Sequence, residues 1–450
     1  MDPRTLERFA GRPLPRYTSY PTAPNFHDGV DAASYATWLG RLRDGDNVSL
    51  YLHVPYCRQL CWYCGCHTRA ARREDIYSDY ADLLVREIEA VAAAAGGRPR
   101  ATHLHWGGGT PSLLPPAAFA RVMAAVDACF APAPGCERAI ELDPRNLDDA
   151  TLAMLQAAGI TRASLGLQDV NPAVQVAINR VQPFEMTAAA VARLRAAGIS
   201  AINLDLIYGL PHQGETELLT SVERAASLRP DRLALFGYAH VPWMKRHQRL
   251  IDEAALAGPQ ARARHFEAAA DLLVDLGYVR IGLDHFALPT DSLAQAARCK
   301  RLRRNFQGYT TDGADRLLGF GESAISALPQ GYLQNVSDGP AYAAAIREGR
   351  FATSRGIRLT IGDKLRRAAI EALMCDLALD LDTLRHDFGL LGADFTAELA
   401  ALAPMAEAGL VTLSGQRIAV TRVGRPFLRA VAAVFDGYLD KSPGRHSQAV

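Results

Sequence analysis

The chain has almost no net charge. Lysine plus arginine number 49 and aspartate plus glutamate 48, a formal charge of +1. That balance leaves no electrostatic footprint of a nucleic-acid-binding protein. Long apolar runs are also missing. None reaches the roughly 20 residues that span a bilayer, and the small apolar stretch from Ala90 to Ala95 is too short. Met1-Asp-Pro-Arg4 lacks the basic start and apolar run of a secretory signal. The expectation is a cytoplasmic protein without membrane insertion, where structural disulfides are disfavoured. Cys129, Cys136, Cys299 and Cys375 are scattered and read as small hydrophobes. There is no internal repeat beyond an alternation of strands and helices.

What is present is an ordinary globular balance, 49% hydrophobic and 22% charged over 450 residues. This is enough for two domains or one large domain with an appendage. Residues 1–46 read as an N-terminal arm covering the active site, with one short helix near Ala32 to Leu42. Within 47–245, six strand patterns alternate with helices. The strands begin at Val48–Val54 and end at Arg232–Phe236, and Gly159 and Gly198 close two of the helices. Such alternation implies a parallel sheet with right-handed helical crossovers. Periodicity alone does not separate an open barrel from a doubly wound sheet. Residues 246–360 form an extension in which Asn305 to Ser326 reads as glycine-rich and irregular. Residues 361–440 are mainly helical, with a hairpin around Ser414-Gly415, a winged-helix-like pattern. Residues 441–450 read as a flexible tail.

The loop after the first strand holds Cys57, Cys61, Cys64 and Cys66, four of the chain's eight cysteines. Short x3 and x2 intervals let three thiolates wrap one soft metal centre. A structural zinc site normally takes four protein ligands, often as separated pairs. Closing four this tightly would strain the loop. Three ligands to a [4Fe–4S] cluster leave one iron open, and this reading is preferred over zinc or redox thiols. Gly107-Gly-Gly109 lacks G-x-G-x-x-G spacing, so it is no dinucleotide fingerprint. It lets backbone approach a ligand, or simply turns the chain. The glycines, Glu141, Gln168 and Asp205 all fall at strand ends, where parallel α/β folds place ligands. His53, His103 and His105 read as satisfied core histidines.

Cys57-x3-Cys61-x2-Cys64 after a first strand resembles the motif of the radical SAM superfamily. Cys66 and Arg16-Tyr-Thr-Ser-Tyr-Pro-Thr22 narrow the resemblance to oxygen-independent coproporphyrinogen III oxidases. His105-Trp-Gly-Gly-Gly-Thr-Pro111, Glu141-Leu-Asp-Pro-Arg145, Asn203-Leu-Asp-Leu-Ile-Tyr-Gly-Leu-Pro211 and Asn305-Phe-Gln-Gly-Tyr-Thr-Thr311 carry it further. The resemblance implies an α/β fold, a partial (β/α)6 TIM-like barrel with an N-terminal arm and a mainly helical C-terminal domain. It implies an oxidoreductase of haem biosynthesis. Two propionates of coproporphyrinogen III become vinyl groups, giving protoporphyrinogen IX through a 5′-deoxyadenosyl radical. It implies Cys57, Cys61 and Cys64 as cluster ligands. Tyr51, Gly108, Gly109, Thr110, Glu141, Gln168, Arg180 and Asp205 are implied around a first S-adenosylmethionine. Cys66, Ala239, Phe306, Gln307 and Ile325 are implied around a second, with Tyr51 and Cys66 closest to the chemistry. Glu322 departs from the small or apolar residue usual in the family, which puts the second pocket's local geometry in question. The implied partners are the substrate and an unidentified one-electron donor, and the implied state is a monomer. A haem-trafficking relative, a radical methyltransferase and a structural zinc protein are the competing readings. The first would lack Cys66 and the arm motif.

Overall fold

The alternation of residues 47–245 sets six parallel strands side by side in a computed structural model, which describes residue 9, residues 13–390 and residues 393–439. The expected tail at 441–450 lies outside the described residues. The strands are β1 (Asn47–Val54), β2 (Arg100–Gly108), β3 (Ala131–Leu142), β4 (Arg162–Gln168), β5 (Ala201–Tyr208) and β6 (Arg232–Gly237). They pair in chain order, each with the next. Parallel neighbours need a crossover. Helices Glu74–Ala94, Pro116–Cys129, Asp149–Ala157, Phe184–Ala196 and Glu215–Ser227 supply it. Their ends follow local chemistry. Asp148 accepts a bond from the Thr151 N–H at one N-terminus, and Gly159 and Gly198 take positive φ after two C-termini.

Side chains alternate along each strand. Leu50, Leu52, Leu104, Leu165 and Leu204 are buried in the main apolar core, each worth about 1.5–3 kcal/mol of burial. Alternate positions are polar, and one cavity of about 170 Å3 takes lining residues from all six strands, Ser49, His105, Glu141, Ser164, Asp205 and Phe236 among them. A sheet whose six strands face one cavity is curled. The fold is therefore an open, partial barrel, as the resemblance implied.

The sheet continues on both sides. Strands β7 (Val279–Ile281) and β8 (His285–Ala287) extend the β6 edge antiparallel. On the other edge β9 (Leu317–Phe320) runs parallel to β1, followed by antiparallel β10 (Ile325–Leu328), β11 (Gly331–Asn335) and β12 (Thr353–Arg358). The order is β12-β11-β10-β9-β1-β2-β3-β4-β5-β6-β8-β7. The expectation of irregular chain over 305–326 is thus corrected. Gly319 is a packing glycine, because a Cβ there would stand 2.5 Å from the Ile325 carbonyl oxygen. Glu87, buried on the first crossover helix, ties this extension down. It accepts bonds from the Gly321 N–H, Asn335 Nδ2 and Tyr342 Oη.

The C-terminal layer starts at helix Ile361–Asp376, opened by a reciprocal Thr360/Asp363 cap. Two further helices precede the hairpin Val411–Ser414 and Arg417–Val420, which Ala378–Asp380 joins as a third strand. Its core takes in Leu14, Tyr17 and Tyr20. The first part of the arm is therefore packed against this layer. Later arm residues Trp38, Leu39 and Leu42 belong to the main core instead.

Candidate active site

Pro55 ends β1, and the cysteine loop that follows is held chiefly through its backbone. Ile178 O accepts from the Trp62 N–H at 3.0 Å, and Leu60 O from Asn179 Nδ2 at 3.1 Å. On the other side Lys245 Nζ donates to Cys66 O at 2.7 Å, His247 Nε2 to Cys64 O at 2.7 Å and Gln248 Nε2 to Tyr63 O at 2.9 Å.

Three of the four sulfurs have a polar side chain within bonding reach. Thr110 Oγ1 donates to Cys57 Sγ at 3.7 Å. Cys61 Sγ accepts from Arg145 Nη2 at 3.8 Å and Arg180 Nη1 at 3.6 Å. Cys64 Sγ pairs with Thr68 Oγ1 at 3.8 Å. Donors around sulfur stabilise thiolates and tune iron–sulfur centres. Burial pushes Cys57 up to about 11, whereas a hydrogen bond with Cys66 is the main influence holding Cys64 below the ordinary thiol range. Cys66 itself is an exposed residue. Among the described residues, no three or more His, Cys, Asp or Glu side chains form a single-ion cage. The fit to a cluster rests on the donor surrounding three sulfurs.

The triple glycine lies beside this loop. Gly108 has φ +109, and a Cβ there would stand 2.6 Å from His53 Cε1. A Cβ on Gly109 would stand 2.4 Å from Tyr56 O. Only glycine fits either place. Glu141 accepts from the Gly108 N–H at 3.1 Å and His105 Nε2 at 3.2 Å. The Tyr51 ring stacks on His105 at 5.9 Å, and its hydroxyl is 3.0 Å from His53 Nδ1. Thr110 faces Cys57 rather than this group.

Asp205 on β5 accepts from Ser164 Oγ at 3.0 Å and Asn203 Nδ2 at 2.9 Å. Burial, then the charge of Glu141, raises its pKa to about 6. Two neighbouring carboxylates on one cavity wall fit a cation, and S-adenosylmethionine offers two positive groups, a hydrogen-bonding ammonium and a sulfonium that only charge can hold. Gln168 ends β4 with φ 67, a left-handed conformation unusual outside glycine. Arg180 is buried, spans Cys61 Sγ and Asp143, and donates to Gly166 O at 2.8 Å.

The second group is divided. Phe306 and Ile325 share an apolar cluster with Tyr332. Gln307 lines the barrel cavity with Glu141 and Asp205. Ala239 lines a different cavity of about 370 Å3. Glu322 lies against the exit of the cysteine loop, beside the neighbour of Cys66. Its carboxylate pairs with Arg69 on both oxygens and accepts from His67 Nε2 at 3.0 Å.

His53 is buried and hydrogen-bonded as expected, but His103 and His105 are half-buried and line the barrel cavity, His103 against Asp312 and His105 against Glu141. Asp143, Arg145, Thr68 and the Lys245–Gln248 anchors were not anticipated either. Asp143 directly follows the end of β3 in extended conformation, two positions after Glu141, and that closeness to a strand end could have found it.

Residues 51–225 match the Radical SAM superfamily and residues 359–427 the HemN C-terminal domain. The chain is 50% identical over 439 residues to the oxygen-independent coproporphyrinogen III oxidase of Bradyrhizobium diazoefficiens, covering 97% of each. It is 40% identical to that of Escherichia coli K12, covering 94% of this chain and 93% of the relative. A solved structure of the E. coli coproporphyrinogen III oxidase, described as a radical SAM enzyme, superposes with a TM-score of 0.89 at 40% identity, over 94% of this chain and 98% of that one. Radical SAM proteins typically bind a [4Fe–4S] cluster and S-adenosylmethionine. With this likeness running through both the barrel and the C-terminal layer, the chain belongs to the oxygen-independent coproporphyrinogen III oxidase family of the radical SAM superfamily.

Proposed function

We propose that this chain converts coproporphyrinogen III to protoporphyrinogen IX without oxygen, turning two propionates into vinyl groups. The observation that carries the reading is the set of three donor-surrounded sulfurs on the barrel rim. Similarity over 97% of the chain points to the substrate.

Cys57, Cys61 and Cys64 would hold a [4Fe–4S] cluster. Tyr51, Gly108, Gly109, Glu141, Gln168, Arg180 and Asp205 would surround one S-adenosylmethionine, with Thr110 supporting the cluster from the Cys57 side. Cys66, Ala239, Phe306, Gln307 and Ile325 would surround a second. When bound, these groups supply a hydrogen-abstracting radical by one-electron cleavage of a carbon–sulfur bond. Turning each propionate into a vinyl group would release a β-hydrogen atom to that radical, carbon dioxide, and one electron to a one-electron acceptor. The chain's own part is placement. Glu141 and Asp205 present negative charge to a cationic ligand, and Gly108 and Gly109 let this strand end pack against His53 and the Tyr56 carbonyl beside them. Arg145 and Arg180 balance charge at Cys61.

The test is an anaerobic assay of reconstituted protein with reductant, S-adenosylmethionine and coproporphyrinogen III. Two 5′-deoxyadenosines and two carbon dioxides per protoporphyrinogen are expected. Release of S-adenosylhomocysteine would mean methyl transfer. Tight haem binding without decarboxylation would mean haem trafficking.

Cys66→Ser separates positioning from metal binding. The sulfurs of Cys57, Cys61 and Cys64 have polar side-chain partners, and Cys66 touches Cys64. Iron and sulfide should stay at wild-type levels while product falls about tenfold or more, because small displacements of reacting groups cost rate steeply. Loss of the cluster would make Cys66 part of metal assembly. Unchanged turnover would make it filler.

A further inference from the structure

The cavity that includes Ala239 gathers four arginines from distant stretches of chain. Arg16, Arg262, Arg304 and Arg429 line about 370 Å3 between the end of β6, helix Pro259–Asp275 and the C-terminal layer. Asp284 is the one acidic residue on this wall. Its carboxyl is held down at about 2 by its bond to His285 and the charges of Arg304 and Arg16, against the upward push of burial. It cannot by itself balance Arg16, Arg262 and Arg304.

Part of this donor capacity is used to hold the arm. Arg429 donates to Leu14 O and Pro15 O. Arg304 donates from Nε to Tyr17 O at 3.2 Å and from Nη2 to Arg16 O at 3.1 Å. Arg16 in turn donates to Gly237 O at 2.9 Å. Other donors are left over. Arg304 Nη1 and Arg262 Nε are buried with no hydrogen-bond partner. Buried guanidinium N–H groups are rarely left so, since desolvation without a partner is costly. The space around Arg262 is also specially shaped. A Cβ on Gly209 would stand 3.0 Å from its Cζ, and one on Gly237 3.2 Å from its Nη2. Two glycines at the ends of adjacent strands thus leave room for this guanidinium. Phe266, Leu283 and Trp243 give the same cavity an apolar wall.

Orphaned guanidinium donors, excess positive charge and an apolar wall describe a site for a carboxylate carried on a hydrophobic body. Arginine suits carboxylates because its planar donors match their two oxygens. We propose that Arg262 and Arg304 clamp a propionate carboxylate of the tetrapyrrole substrate in this cavity, with Arg16 bringing the arm over it. This rests on the function proposed above. The clamp makes the arm part of substrate seating, since Arg304 holds both the arm's backbone and the ligand. Ala239 on the same wall would put the seated edge of the substrate next to the second cofactor position.

The test uses cluster-loaded full-length protein and two probes, coproporphyrin III with its four carboxylates and its tetramethyl ester. Fluorescence titration should show the acid binding and the ester binding at least about tenfold more weakly, the loss expected when charge-assisted hydrogen bonds are removed. Arg262→Gln and Arg304→Gln should each weaken acid binding about tenfold or more and raise KM for coproporphyrinogen III similarly. Ester binding, iron content and S-adenosylmethionine binding should stay at wild-type values; the thermal transition should fall only in Arg304→Gln, which also gives up the bonds to Tyr17 O and Arg16 O, so Arg262→Gln decides the clamp. Folded variants with wild-type titrations and KM overturn the clamp. Equal affinity of the wild type for acid and ester overturns it without any variant. A wild type that makes no protoporphyrinogen counts against the proposed reaction alone, and the titrations still decide the clamp.

Discussion

Cys57→Ala, Cys61→Ala and Cys64→Ala will each leave the protein without a stable [4Fe–4S] cluster and without measurable turnover. The expectation comes from the environment of the sulfurs as well as from their spacing. Thr110 meets Cys57, Arg145 and Arg180 meet Cys61, and Thr68 meets Cys64. Any one deletion removes a ligand and leaves its partner facing a cavity. At Cys61 the consequence is largest, because two buried guanidinium groups lose an anionic neighbour and only Asp143 remains between them. The fold itself should persist. The loop is held mainly by bonds to the carbonyls of Leu60, Tyr63, Cys64 and Cys66, none of which needs a thiol. Iron and acid-labile sulfide analysis of anaerobically reconstituted variants measures the first effect, and circular dichroism the second. A full cluster in any of the three variants would remove that cysteine from the ligand set.

The six core strands were legible because each is an apolar alternation bounded by turn residues, as in Val48–Val54 before Pro55. The cysteine loop, the triple glycine and Glu141 were legible for a related reason: chemistry-bearing residues fell at strand ends, whereas Asp205 lies within β5, three positions before Tyr208. The extension of the sheet was not legible. Leu317-Leu-Gly-Phe320 is four residues long with glycines within and after it, and the pattern of a turn outweighed that of a strand. Gly319 is there because the neighbouring strand's backbone comes too close for a Cβ. The pairing of Glu322 was not legible either, because its partner Arg69 is 253 positions away in sequence. The arginine cavity was hidden in the same way. Arg16 stands out in the arm motif and Arg304 in a basic run, but nothing in the sequence joins them to Arg262 and Arg429; the four meet only once the arm, the barrel edge and the C-terminal layer have packed.

Asp205→Asn will weaken S-adenosylmethionine binding about tenfold or more, the scale of one lost charge-assisted hydrogen bond, while making the ligand-free protein more stable near neutral pH. The two effects share a cause. Burial and the neighbouring charge of Glu141 raise Asp205 to about 6, above its usual 3.8. A carboxyl with a raised folded-state pKa contributes stability in its protonated form below about 4, and that contribution is lost as pH rises through about 6. At pH 8 the ionised group is therefore a cost of up to about 3 kcal/mol, roughly two pKa units at about 1.4 kcal/mol each, with its bonds to Ser164 and Asn203 already included. Asparagine removes the charge and keeps the shape. Denaturant unfolding of ligand-free protein should show the variant more stable at pH 8 and the gap narrowing towards pH 5, where the wild-type carboxyl is already protonated. Equilibrium titration at pH 8 should show the matching loss of affinity, because the charge that strains the empty cavity is the charge a cationic ligand would use. Wild-type affinity in the variant would take Asp205 out of the cofactor site. A variant less stable than wild type at pH 8 would mean that its hydrogen bonds outweigh the repulsion from Glu141.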